Sequence, residues 1–225
     1  MYATVCTLYI QSTPYTHGVA HTEVFPMADA TGGPLRIAVI IGSTRDGRFG
    51  PVVADWITGH IAEREDMTAD VVDLVETPLP TVFPAFGQTP SDEVVAQLGA
   101  VSPRLAEADA FVIVTPEYNH SFPAPLKNAI DWHNEQWHGK PVGFVSYGGL
   151  AGGLRAVEQL RVVLAELHAV TVRNTVSFHN YGEVFNADGK PSDPGCDVAA
   201  KALLDQLTWW GHALREARRA RPYAV

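Results

Sequence analysis

The sequence predicts a three-layer α/β fold, a five-stranded parallel sheet with helices on both faces. Three observations carry that expectation. After Pro34, short runs rich in Val and Ile alternate with longer amphipathic segments, the pattern of strands joined by crossover helices. The first, third and fourth runs are apolar almost throughout, as strands covered on both faces are. Glycine-rich joints follow the first and fourth runs, at the carboxyl edge where such sheets bind ligands.

Taken in order, the strands are expected at 36–41, 69–73, 110–115, 141–147 and 171–177, and the helices at 51–65, 90–108, 123–134, 153–167 and 197–220. Pro51 and Pro90 fall where a first helical turn tolerates proline, and Thr89 is placed to cap the second helix. Pro103 should kink or restart that helix. No internal repeat or low-complexity block interrupts the pattern.

Composition narrows the function classes. The 225 residues carry 16 Lys plus Arg against 25 Asp plus Glu, a net charge of −9, which lacks the basic footprint of a nucleic-acid binder. With 46% hydrophobic and 18% charged residues, the chain has material for a substantial core. Its longest apolar runs fall far short of the roughly 18 residues that cross a bilayer. Cys6 and Cys196 form no CxxC pair, which fits a reducing compartment and makes the cytoplasm the expected location.

Residues 1–34 hold no Lys or Arg, the first being Arg36, so a cationic targeting leader is not expected. They show no helical or strand period and read as a flexible N-terminal extension, with the folded domain at 35–225. Met27 sits just before the periodic part, and an upstream start codon would account for residues 1–26.

Three loops carry the chemistry. Gly42-Ser43-Thr44-Arg45-Asp46-Gly47-Arg48-Phe49-Gly50 links the first strand to the first helix. Amide groups at a helix start, small hydroxyls and an arginine fork suit a phosphate monoester. The glycines at 42 and 47 match a Walker A spacing, but Arg48 and Phe49 stand where that loop needs Lys and a hydroxyl. A Rossmann GxGxxG is also absent. After the third strand, Pro116, Glu117, Tyr118 and Asn119 offer an aromatic face and hydrogen-bonding groups for a flat heterocycle. After the fourth, Ser146 and Tyr147 lead into Gly148 and Gly149, where the main chain can lie close to a ligand. Together the three point to a mononucleotide site.

These residues resemble the NADPH-dependent FMN reductase family. The resemblance rests on Ile41 to Arg45, on Val114 to Asn119 running into Leu126 to Trp132, and on Ser146 to Gly149, and covers about 35–175. It implies a flavodoxin-like fold that binds FMN at the carboxyl edge and assembles as a homodimer or homotetramer. It places Ser43, Arg45 and Arg48 around the FMN phosphate, and Pro116, Glu117, Tyr118 and Asn119 along the isoalloxazine and ribityl chain. Ser146, Tyr147, Gly148 and Gly149 go to the opposite side of the ring. A second loop hydroxyl, which many members carry near the position of Gly47 or Phe49, is missing here.

The resemblance also implies a reaction: NADPH or NADH gives hydride to the flavin, and a small-molecule acceptor (flavin, quinone, azo compound or metal oxyanion) takes the electrons. No catalytic side chain is required, because the flavin carries the chemistry. Main-chain donors at 118–119 and 148–149 are expected to stabilise negative charge on the ring. The alternatives are a flavodoxin-like electron carrier with no NAD(P)H oxidation of its own and a scaffold that binds no flavin. The nine histidines show no metal-ligand spacing, so no metal site is expected. Lys127 and Asp131 read as a surface pair. Trp132 and Trp137 are candidates for a dimer face, Trp209 and Trp210 for core or interface, and the arginines at 215–221 for the dipole of the last helix.

Overall fold

The computed structural model describes residues 32–85 and 87–224. Most of the expected N-terminal extension, with Met27 and Cys6, lies outside the described residues. Those that follow form β1 (Leu35–Ile41), α1 (Gly50–Ala62), β2 (Met67–Asp73), α2 (Asp92–Gly99), α3 (Ser102–Glu107), β3 (Ala110–Pro116), α4 (Ala124–Asp131), β4 (Pro141–Tyr147), α5 (Leu154–Glu166), β5 (Val170–Phe178), α6 (Tyr181–Val184) and α7 (Gly195–Ala220). All strand pairs are parallel and the order is β2-β1-β3-β4-β5, the flavodoxin-like arrangement. The crossover direction reverses between β1 and β3, which opens a crevice at their carboxyl ends.

Alternate side chains of each strand feed two cores, as the period of two demands. Ile37, Val39 and Ile41 of β1 join Val112 and Val114 of β3 under α1 and α7, with Ile57, Leu203 and Leu207. Ala38, Ile40, Phe111, Ile113 and Phe144 face the other way, against Leu105, Leu126, Ile130 and Leu160. The central strands β3 and β4 are buried at every position.

Local differences from the expected elements have identifiable causes. The helix expected over 90–108 is two helices, with Pro103 in the first turn of the second. Its cap is Ser91, whose hydroxyl accepts from Val94 N at 3.4 Å, and not Thr89. The third expected helix stops at Asp131 and a 3-10 turn covers Glu135–Trp137. Trp137 is then buried on Phe111, ring centroids 4.5 Å apart, which removes it from any dimer face. Arg215 and Arg218 do more than offset a helix dipole. Arg215 donates to the Gly33 carbonyl at 2.9 Å and pairs with Asp109 at 3.2 Å, and Arg218 donates to the Gly139 carbonyl.

Candidate functional site

The three loops meet at the carboxyl edge of β1, β3 and β4, around a cleft of about 360 Å³. Of the residues expected there, Ser43, Arg45, Arg48, Pro116, Glu117, Tyr118, Tyr147, Gly148 and Gly149 line it. Asn119 and Ser146 do not. Asn119 takes positive φ beside His120, also at positive φ, in a tight turn closed by Tyr118 N on Ser121 O (2.8 Å) and the reciprocal bond (3.0 Å). Ser146 is buried and donates to the Gly152 carbonyl at 2.8 Å.

In the first loop, Gly42 N is held by the Val114 carbonyl of β3. Among the described residues, no acceptor meets the amides of Thr44, Asp46, Gly47, Phe49 and Gly50. These amides gather at the start of α1, where the helix dipole favours an anion. Phe49 is the N-cap and offers no side-chain acceptor to the first turn. Arg48 is spent on structure: it grips Asp73 at the end of β2 through two bonds of 2.5 and 2.7 Å and donates to Ser43 O at 3.1 Å. It sets the loop's shape while still lining the cleft, and Arg45 lines the cleft beside it. Ser43 Oγ lies 2.8 Å from the Tyr118 hydroxyl, which ties the first loop to the second.

The fourth-strand loop is built by close packing. Gly153 takes φ +86, and a Cβ there would stand 2.6 Å from Ser146 Cβ and 3.0 Å from Tyr147 N. Ser177 joins Ser146 in donating to the Gly152 carbonyl, at 2.8 Å. Two of the four expected ring donors are spent within the chain, Tyr118 N on Ser121 O and Gly148 N on Phe178 O at 3.1 Å. Asn119 N and Gly149 N meet no acceptor among the described residues.

Tyr147 is the anomaly of the site. Its hydroxyl is buried without a hydrogen-bond partner, a condition that costs about 1–3 kcal/mol. Burial holds the phenol well above its usual range, with Ser43 and Arg48 pulling the other way, so it keeps its proton. The second loop has a support that sequence reasoning missed. Arg155, in the first turn of α5, bonds Glu117 through Nε at 2.5 Å and His120 Nε2 at 2.6 Å, while Gln159 donates to the His120 carbonyl at 2.7 Å. Phe49 and Tyr181 also line the cleft, ring centroids 4.9 Å apart. A helix beginning immediately after a ligand-facing glycine loop was the available signal for Arg155. Tyr181 lies past the last expected strand, and its sequence carries no comparable signal.

The family model for NADPH-dependent FMN reductase matches residues 35–183. The chain belongs to that family of FMN-dependent oxidoreductases. Among the family's curated proteins, the NAD(P)H-dependent FMN reductase C4B3.06c of Schizosaccharomyces pombe is 40% identical over 124 residues, 52% of this chain and 60% of that protein. The FMN-dependent NADPH-azoreductase of Staphylococcus aureus is 29% identical over 173 residues, 75% of this chain and 91% of its own. The flavoenzyme NAD(P)H:(acceptor) oxidoreductase FerB of Paracoccus denitrificans shares the fold at TM-score 0.62, with 23% identity, over 80% of this chain and 98% of that one. The cleft of this reductase-family chain fits the family's cofactor on its own chemistry. Unmet amides and a guanidinium stand at a helix start for a phosphate, and an unmet buried phenol borders the same space.

Beside the cleft, across Thr44, runs an apolar groove of about 720 Å³ lined by Leu74, Val75, Leu79, Phe83 and Pro125. Phe83 stacks on Trp132 at 4.1 Å, and Trp132 donates to the Pro80 carbonyl at 2.7 Å. Trp209 is exposed on α7, while Trp210 packs against the core. Lys127 and Asp131 pair at 2.6 Å. Among the described residues no helix is long and apolar enough to cross a membrane.

Proposed function

We propose that this chain oxidises NADPH or NADH through FMN held in the carboxyl-edge cleft and passes the electrons to a small-molecule acceptor. The observation that carries the reading is the convergence, in one cleft, of an anion-ready helix start with two loops shaped for a flat ring. Ser43, Arg45 and the loop amides hold the phosphate, and Arg48 keeps that loop in shape through Asp73. Pro116 to Asn119 flank the ring on one side and Gly148 and Gly149 on the other, with Ser146 holding the glycine loop from below. When bound, FMN supplies the two-electron redox chemistry that side chains lack. The amides of Asn119 and Gly149 are the donors left to meet charge on the ring.

The same reading includes a homodimer in the cytoplasm. The apolar groove beside the cleft, with half-exposed Phe83 against Trp132, supports a second copy packing there, next to the flavin. Phe83→Asp is expected to turn a dimer into a monomer in analytical ultracentrifugation.

The deciding experiment is a visible spectrum of protein reconstituted with FMN and dialysed, followed by anaerobic NADPH and then NADH. Retained flavin that bleaches within seconds supports the enzyme. Retained flavin that stays oxidised with both donors replaces it with an electron carrier, and loss of flavin on dialysis removes the tightly bound cofactor.

A further inference from the structure

We infer that the hydroxyl of Tyr147 is a phosphate donor, reaching the FMN phosphate from beneath the first turn of α1, and not a ring-side group. The inference rests on the reading that the cleft holds FMN and assigns one buried atom within it. Tyr147 closes β4 beside Gly148 and Gly149, so its position in the sequence puts it with the ring-facing loop. Its side chain leads elsewhere. The hydroxyl lies 3.2 Å from where a Cβ on Gly50, the first residue of α1, would be. Arg48 of the first loop is among the charges acting on it, and its ring meets the N-cap residue Phe49 edge-on at 6.1 Å.

Three facts converge on that atom. It is the buried hydroxyl of this cleft that has no partner within hydrogen-bond distance, with Ser43 close enough to act on it but engaged at 2.8 Å by Tyr118. It sits at the positive end of a 13-residue helix whose opening amides lack acceptors among the described residues. The N-cap at that end is a phenylalanine whose side chain has nothing to offer an anion. A residue from β4, two strands over from β1, thus supplies the hydroxyl that the helix's own cap does not. Burial keeps the phenol protonated, so it meets a phosphate dianion as a donor. Gly50 is required for this approach, since any side chain there would crowd Tyr147 Oη and Ile41 Cγ2, the latter at 2.8 Å from a Cβ.

The test compares FMN with riboflavin, which lacks the phosphate, by quenching of flavin fluorescence on the full-length apoprotein. Tyr147→Phe is expected to weaken FMN binding by about ten- to a hundred-fold, the range for a hydrogen bond to a charged group, and to leave riboflavin binding unchanged. The apoprotein's unfolding midpoint should stay level or rise, because the substitution removes a buried hydroxyl that had no partner. Equal weakening of FMN and riboflavin, or no change in either, would overturn the assignment, as would a fall in the apoprotein's midpoint. Wild-type protein that binds neither flavin would instead defeat the FMN reading itself and the assignment with it.

Discussion

The two edges of the sheet handle polar groups in opposite ways. At the amino edge, charge is matched within the chain. Asp109, just before β3, accepts from Arg36 N at 3.0 Å and Arg215 at 3.2 Å, with Arg218 at 3.8 Å. Lys140, just before β4, gives its ammonium to the Leu105 and Ala106 carbonyls at 2.9 and 2.8 Å. At the carboxyl edge, the amides of Thr44, Asp46, Gly47, Phe49, Gly50, Asn119 and Gly149 and the Tyr147 hydroxyl meet no acceptor or partner among the described residues. The amino edge is closed by folding except at the buried Trp137 Nε1, and the carboxyl edge keeps donors free for what binds despite its own Arg48–Asp73 and Arg155–Glu117 pairs. Substitutions at the first should therefore appear in stability and at the second in affinity.

The largest expected effect is at the amino edge. Asp109→Ala leaves Arg215, which is 6% exposed, without its carboxylate. Unfolding free energy should fall by about 3–5 kcal/mol, as when one partner of a buried ion pair is removed, while the folded fraction keeps its FMN affinity. Loss of affinity without loss of stability would break the contrast.

Lys140 adds a pH signature. Burial first, and Arg218 second, lower its ammonium to about 8, against an ordinary value of 10.5. Between those values the unfolded chain binds more protons, so this residue's contribution to stability rises with pH. Denaturant titrations should show wild type gaining on Lys140→Met by up to about 3 kcal/mol between pH 7 and 10.5. A flat difference across that window would remove Lys140 from the buried set.

At the carboxyl edge, Arg45→Ala should weaken FMN binding by about 1.5–3 kcal/mol, the value of a hydrogen bond to a charged group, and leave the apoprotein's unfolding midpoint in place. Unchanged affinity would remove Arg45 from the phosphate. The smallest effect belongs to neither edge: Lys127→Ala breaks the exposed pair with Asp131 and should cost no more than about 0.5 kcal/mol in a thermal melt.

Legibility in the sequence followed the same division. The strands were readable because β-branched runs buried on two faces leave little ambiguity, and β4 spans Pro141–Tyr147 as expected. The loop residues were readable because glycines and arginines at strand ends have few other uses. What escaped were partnerships between distant residues. Arg48 reads as a ligand-facing cation, and the fold adds Asp73, 25 residues on, as a partner while Arg48 still lines the cleft. Arg155 carries no assignment in the sequence, and only the fold places Glu117 beside it. Tyr147 belongs to one loop by position and reaches another by its length, because strand order brings β4 alongside β3, whose other neighbour is β1.

The stapling of Gly33 and Pro34 to Arg215 has a practical side. The described chain enters beside the amino end of β1, and it leaves near the amino end of β5, where Tyr223 meets His168 at 3.1 Å. Both points lie across the sheet from the cleft. Anything tethered to the folded body through either point, whether a fusion partner, a resin or an electrode, is anchored at the far pole. The cleft then faces away from the anchor.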